Sequence, residues 1–139
     1  MSIEHLKISF ASVLRATKFG IVGLSGVAVN MLVLWLLKEK TPAPLWLAGG
    51  SAIELSILNN FFWNYHWTFG DRQASTLNAW WRALLKYHVA VSLAALTNFF
   101  VLWLLHERFG MHYLIANALG ILIGFASNYL FSNHWVFKD

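Results

Sequence analysis

Between Lys18 and Lys38 the chain runs from Phe19 to Leu37 without Lys, Arg, Asp or Glu, and it does so again from Tyr87 to Leu105. Each run covers 19 residues (19–37 and 87–105). At about 1.5 Å per residue that is roughly 28 Å of helix, enough to cross the hydrocarbon layer of a bilayer. Leu45 to Phe69 is a longer apolar stretch with a single charge, Glu54, and Tyr113 to Phe137 has none. Composition points the same way. The chain is 58% hydrophobic and 12% charged, against about 45–50% and about 25% for a soluble domain. At 139 residues a soluble fold would show water far too much of that apolar surface. The expectation is an all-α integral membrane protein with four transmembrane helices and no soluble catalytic domain beside them. Cysteine is absent, which excludes disulfides, thiolate metal sites and thiol nucleophiles.

The links 38–44 and 106–112 are short enough only for tight helical hairpins. Thr41-Pro42-Ala43-Pro44 should end one helix and open the next, because proline suits a first turn and not a helix interior. Lys7, Arg15, Lys18, Arg72, Arg82, Lys86 and Lys138 lie on one side of the spans, and only Lys38, Lys40 and Arg108 on the other. By the positive-inside rule both termini are cytoplasmic, in the cell's inner (plasma) membrane. The net charge of +4 then reflects topology and lipid phosphate, so no nucleic-acid partner is expected. The first run lacks a small-residue cleavage site and is read as a retained span rather than a signal peptide. Its leading arm places Ile3, Leu6, Phe10, Val13 and Leu14 at helical spacing, with Glu4 among them, and is expected to lie in the membrane interface. Ser75–Lys86, with Leu77, Trp80, Trp81 and Leu84, reads equally as an interfacial helix or as a loop with aromatic anchors.

An offset of 68 residues superposes the second half of the chain on the first without a gap. Asn30–Leu37 falls on Asn98–Leu105, Asn60 on Asn128, and His66-Trp67-Thr68-Phe69 on His134-Trp135-Val136-Phe137. Lys18 meets Lys86 and Glu39 meets Glu107. Repeat 1 is taken as about 18–69 and repeat 2 as about 86–137, within one membrane domain over 1–139. Two spans per unit make the repeats parallel in topology, related by an axis along the membrane normal. The halves differ at Glu54, opposite Leu122, and at Asn59, opposite Ser127.

Asn64-Tyr-His-Trp-Thr-Phe69, preceded by Glu54-Leu-Ser-Ile-Leu-Asn-Asn60, resembles the signature that closes the second helix in the GtrA-like family of small four-span membrane proteins. Asn128–Phe137 is a weaker second copy, and Lys18-Phe-Gly-Ile-Val-Gly23 is similar to the family's opening of helix one. The resemblance covers roughly residues 15–138. It implies movement of a polyprenyl-phosphate-linked sugar from the cytoplasmic to the outer leaflet, for decoration of a cell-envelope glycan. The alternative is a non-transporting membrane anchor or partner of a cytoplasmic polyprenyl-phosphate glycosyltransferase. On either reading the chain is expected to be no enzyme and to need no cofactor or metal. It is expected to form a homo-oligomer, with a dimer favoured.

A sugar head cannot cross hydrocarbon unaided, because each unpaired hydroxyl costs a few kcal/mol to desolvate. Residues suited to a polar path are present. Ser56, Asn60, Asn64 and Trp67 share one face of helix two, and Gly124, Asn128, Ser132 and Trp135 the matching face of helix four. Asn30, Asn98 and Asn117 add amides. Such amides can equally be glue between helices, and Gly120 with Gly124 reads as a packing seam. Glu54 is an acid at membrane depth, which marks a functional site by default; it binds sugar hydroxyls, exchanges a proton, or is structural. Its spacing does not put it in one pocket with Asn60. Lys18, Lys86, Arg82 and His66, with Arg72 and His134, are the candidate phosphate ligands, against plain anchoring to phospholipid. Trp67 and Trp135 are belt residues or sugar-stacking surfaces. A small multidrug exporter also has four spans and one acid, but carries that acid in its first span, where this chain has none.

Overall fold

The computed structural model describes residues 3–138, with side chains for Lys7 and from Phe10 onward. The side chains of Ile3, Glu4 and Leu6, named above in the arm, lie outside the described residues. Four helices carry the fold: α1 (Ile3–Lys40), α2 (Leu45–Trp63), α3 (Leu77–Trp103) and α4 (Tyr113–Phe131). No strand occurs among the described residues. The arm is not a separate element; it continues into the first span as one helix of 38 residues. Within Ser75–Lys86 the part from Leu77 onward is helix and not loop. Thr76 caps α3, its hydroxyl accepting the Ala79 N–H at 3.3 Å, so Leu77 onward is already the first turn of the span.

The chain divides into two compact units, Met1–Asp71 and Arg72–Asp139. In the first, α1 packs along α2; in the second, α3 packs along α4. Each unit is a helical hairpin whose buried core is small or aromatic: Phe19, Val22, Ala48, Ala52 and Phe61 in one, Tyr87, Ala90, Ala94 and Ala116 in the other. Alanine at the contact lets helix backbones approach closely, which drives association when the surroundings are as apolar as the side chains. The outer faces are apolar too, with Leu24 73%, Met31 66% and Trp46 76% exposed. That is the surface lipid requires.

The hairpin bends follow local chemistry. In the first, the Thr41 hydroxyl donates to Leu37 O and Lys38 Nζ to Ala43 O at 3.2 Å, and Pro44 opens α2. In the second, Gly110 sits at φ +66°, where a side chain is strained, and its N–H reaches His106 O at 3.2 Å.

Three stretches among the described residues are long and apolar enough to cross a membrane: Phe10–Lys40, Leu77–Arg108 and Tyr113–Val136. The α2 helix is not one of them. Glu54, Asn59, Asn60 and the pair Gly49 and Gly50 dilute its apolar character.

Candidate functional site

In the first hairpin the polar residues of α2 meet a turn of small residues on α1. Ser25 Oγ donates to Val22 O at 2.6 Å and accepts from Asn59 Nδ2 at 2.9 Å. The same amide reaches Asn60 Oδ1 at 3.3 Å, and Ser56 Oγ donates to Gly26 O at 2.8 Å. A Cβ on Gly26 would fall 2.7 Å from Asn60 Cγ, so glycine is what admits the Asn60 amide. This network ties helix to helix, and it takes up Ser56 and Asn60, which the sequence offered equally as a substrate path.

Beyond Asn60 the helix changes pitch. Asn64–Thr68 forms a π-turn, closed by the Phe69 N–H on Asn64 O at 2.9 Å. The wider i→i+5 turn shifts the residues after it out of α-helical register, a distortion common at functional sites. Asn64 and Thr68 turn inward and are buried, and Phe69 packs edge-on against Phe19 at 6.3 Å. Trp67 stays half-exposed, and Lys18 Nζ lies 5.3 Å from its ring centre. Arg15, one turn earlier, is held by Asp71 at 2.8 Å. Behind Trp67 an open groove of about 610 Å³ is lined by Ile21, Val22, Ser25, Trp63, His66 and Trp67.

The second hairpin repeats this end. Ser132–Val136 is a π-turn closed by the Phe137 N–H on Ser132 O at 2.9 Å. Phe137 packs on Tyr87 at 5.8 Å, and Lys86 Nζ lies 5.8 Å from the Trp135 ring. Each contact matches one in the first hairpin at the 68-residue offset. The seams differ. At the Gly26 and Ser56 positions stand Ala94 and Gly124, so the glycine has changed helices, and a Cβ on Gly124 would come 3.0 Å from Ala94 O. Asn98 seats its backbone and amide on Gly120. With Ala94 where Gly26 stood, the Asn128 amide has no such berth, and its Oδ1 is buried with no hydrogen-bond partner among the described residues.

The candidate residues thus separate. His66 and Trp67 line the groove and Lys18 stands against Trp67, while Asn60 is in the seam and Asn64 in the buried turn. Asn30 is half-buried on α1, one turn past Gly26, and Arg82 is exposed one turn before Lys86. Arg72 is engaged by Asn133, O and Oδ1 both at 2.9 Å. Glu54 is exposed and borders a shallow groove made of α2 residues alone, among them Trp46, Gly50 and Ser51. It does not share the groove of His66. Sequence reasoning missed Ser25 and Trp63 in the groove and Asn59 in the seam. The i, i+4 spacing of Trp63 and Trp67 was the available signal; the Ser25–Asn59 pairing, 34 residues apart, left none.

A dolichol-phosphate mannosyltransferase from Pyrococcus furiosus is 46% identical over 120 residues, covering 86% of this chain and 33% of its own length. The chain therefore spans about a third of the curated relative that it matches. This corrects the expectation that the chain is no enzyme, since the relative is named as a transferase, an enzyme. That expectation came from reading the spans as the whole machine, and the match lies in one part of a larger protein. The sequence profile of the GtrA/DPMS transmembrane domain matches residues 18–137. With its long apolar helices, this is a multi-pass membrane protein, and the chain belongs to the GtrA/DPMS transmembrane-domain family.

Proposed function

We propose that the groove beside Lys18 receives the head of a polyprenyl-phosphate-linked monosaccharide and that the chain carries this head from the cytoplasmic to the outer leaflet. The observation that carries the reading is Lys18 Nζ at 5.3 Å over Trp67, at a groove lined by Ser25, Trp63 and His66. A lysine ammonium is a compact point charge suited to phosphate, and Trp67 holds it at the rim by cation–π attraction. Trp63 and His66 offer ring faces to the C–H face of a pyranose. Ser25 has one lone pair left after its two hydrogen bonds, which a sugar hydroxyl can use. The groove is open, so the prenyl tail stays in lipid.

In this reading α2 is the fourth span. The two hairpins act as one membrane domain with both termini in the cytoplasm of an inner-membrane protein that assembles as a dimer. Lys86 and Arg82 form a second phosphate edge on the second hairpin, Asn30 serves the polar seam of the first hairpin, and Asn98 and Asn128 that of the second. The cargo feeds cell-envelope glycosylation, and transport is passive, drawn by consumption of the sugar.

A second reading has the groove present the lipid to a polyprenyl-phosphate glycosyltransferase without moving it. The mannosyltransferase name of the 46% identical relative favours it. Vesicles separate the two. The full chain, reconstituted with fluorescent polyprenyl-phosphate mannose, should speed exchange between leaflets well above protein-free vesicles, and Lys18→Gln should slow it. Lipid binding without faster exchange would overturn transport in favour of the second reading.

A further inference from the structure

The second hairpin has another built groove, at the end remote from Lys86 and Trp135. It encloses about 460 Å³ and is lined by Phe99, Trp103, His106, Glu107, Tyr113 and Asn117, among others. Trp103 follows Lys86 by seventeen positions along α3, which is about 26 Å of helix. A π-turn, Leu104–Arg108, shapes this end as well. The first hairpin has plain α-helix at the matching place, 36–40.

The chemistry of this groove is that of a carbohydrate site. Trp103 and Tyr113 are half-exposed aromatic faces, suited to the apolar face of a pyranose. His106 is fixed: Nδ1 lies 2.9 Å from Met111 O, its ring meets Tyr113 edge-on at 6.3 Å, and Nε2 stands 3.8 Å from Glu107 Oε1. Glu107 supplies acceptors and Asn117 both donors and acceptors, the set that hydroxyls need. Among the described residues no Lys or Arg lines it, in contrast to Lys18 beside Trp67. A carboxylate in a lining without Lys or Arg repels phosphate and leaves a neutral sugar as the fitting ligand.

We propose that this groove is a second subsite, which binds the sugar moiety of the lipid-linked monosaccharide and not its phosphate. It rests on the proposed function for the identity of that lipid. The test uses the full chain in nanodiscs and a polyprenyl-phosphate mannose with a diazirine on the sugar, with labelled residues mapped by mass spectrometry. Labelling is expected within 63–67 and also within 103–117. Excess polyprenyl phosphate without sugar should suppress the first at least five-fold and leave the second, whereas polyprenyl-phosphate mannose should suppress both. Glu107→Gln with Asn117→Ala should lower labelling within 103–117 at least five-fold and leave 63–67 unchanged. Labelling within 63–67 alone overturns the second subsite and spares the proposed function. Labelling within 103–117 alone overturns the Lys18 groove and sustains the subsite. Equal suppression of both by the sugarless lipid overturns the sugar assignment. The wild-type map decides these outcomes without any variant.

Discussion

The Asn60 amide fills the space beside Gly26 that a methyl group would need, its Cγ only 2.7 Å from where that carbon would lie. Gly26→Ala should therefore destabilise the first hairpin by about 1–3 kcal/mol, the usual cost of overpacking. The obstruction is a side-chain end, so Asn60→Ala in the same chain should recover most of the loss. Gly120→Ala is the contrasting case. Its Cβ would meet the Asn98 carbonyl at 2.7 Å, and backbone cannot step aside. It should cost more, and Asn98→Ala should not restore it. Thermal unfolding in detergent of the four single variants and two pairs gives both coupling energies directly. Equal rescue in the two hairpins would refute this account of the seams.

Lys18 stands against Trp67, which lines the groove together with Trp63, and variants of Lys18 and Trp63 should separate phosphate from sugar recognition. Lys18→Gln should weaken binding of polyprenyl phosphate and of its mannose derivative alike, by about five-fold, the order expected of one lysine at an anionic headgroup. Lys18→Arg should keep most of the affinity. Trp63→Ala should spare the sugarless lipid and weaken the mannose derivative roughly two- to ten-fold, as expected when a stacking ring is lost. Titration in nanodiscs at two salt concentrations reads both. The Lys18 effect should shrink at high salt and the Trp63 effect should not.

The second hairpin bend tests the backbone alone. Gly110 at φ +66° is in a region that costs a side chain about 1–2 kcal/mol, so Gly110→Ala should lower the unfolding temperature. Gly49, with open space where its Cβ would stand, is inside α2 with no such demand. Gly49→Ala should raise helix stability by about 0.5–1 kcal/mol. Opposite signs from one chemical change, read by the same thermal melts, are the expected outcome.

Much of this was readable in the sequence because membrane spans announce themselves by the absence of charge. The 68-residue repeat showed through rarer residues, Lys, Asn, Trp and His, and the same offset relates Lys18–Trp67 to Lys86–Trp135. The seam was only half readable. Asn60 stood out, but whether it faced cargo or Gly26 depended on a helix 34 residues away. The π-turns were invisible, since an i→i+5 bond has no compositional mark, and they decide that Asn64 is buried while Trp67 is half-exposed. α2 was read as a span by length. Its own polar residues keep it out of the stretches long and apolar enough to cross a membrane.

Glu54 is the last case, and here helical arithmetic and structure agree on separation. Six positions before Asn60, it lies well around α2 from the seam, and it is exposed beside Gly50 and Ser51 rather than lining the groove of Trp63 and His66. In the proposed four-span arrangement Glu54 stands at membrane depth, where an acid is costly against lipid, so its surroundings must be water or protein. Glu54→Gln keeps the shape and hydrogen-bonding capacity while removing the charge. Lipid binding at the Lys18 groove should therefore stay within two-fold of wild type. Exchange between leaflets in vesicles should fall if the acid serves movement of the head, a role separate from holding it. A parallel loss of binding would place Glu54 in the head site, against the geometry of α2.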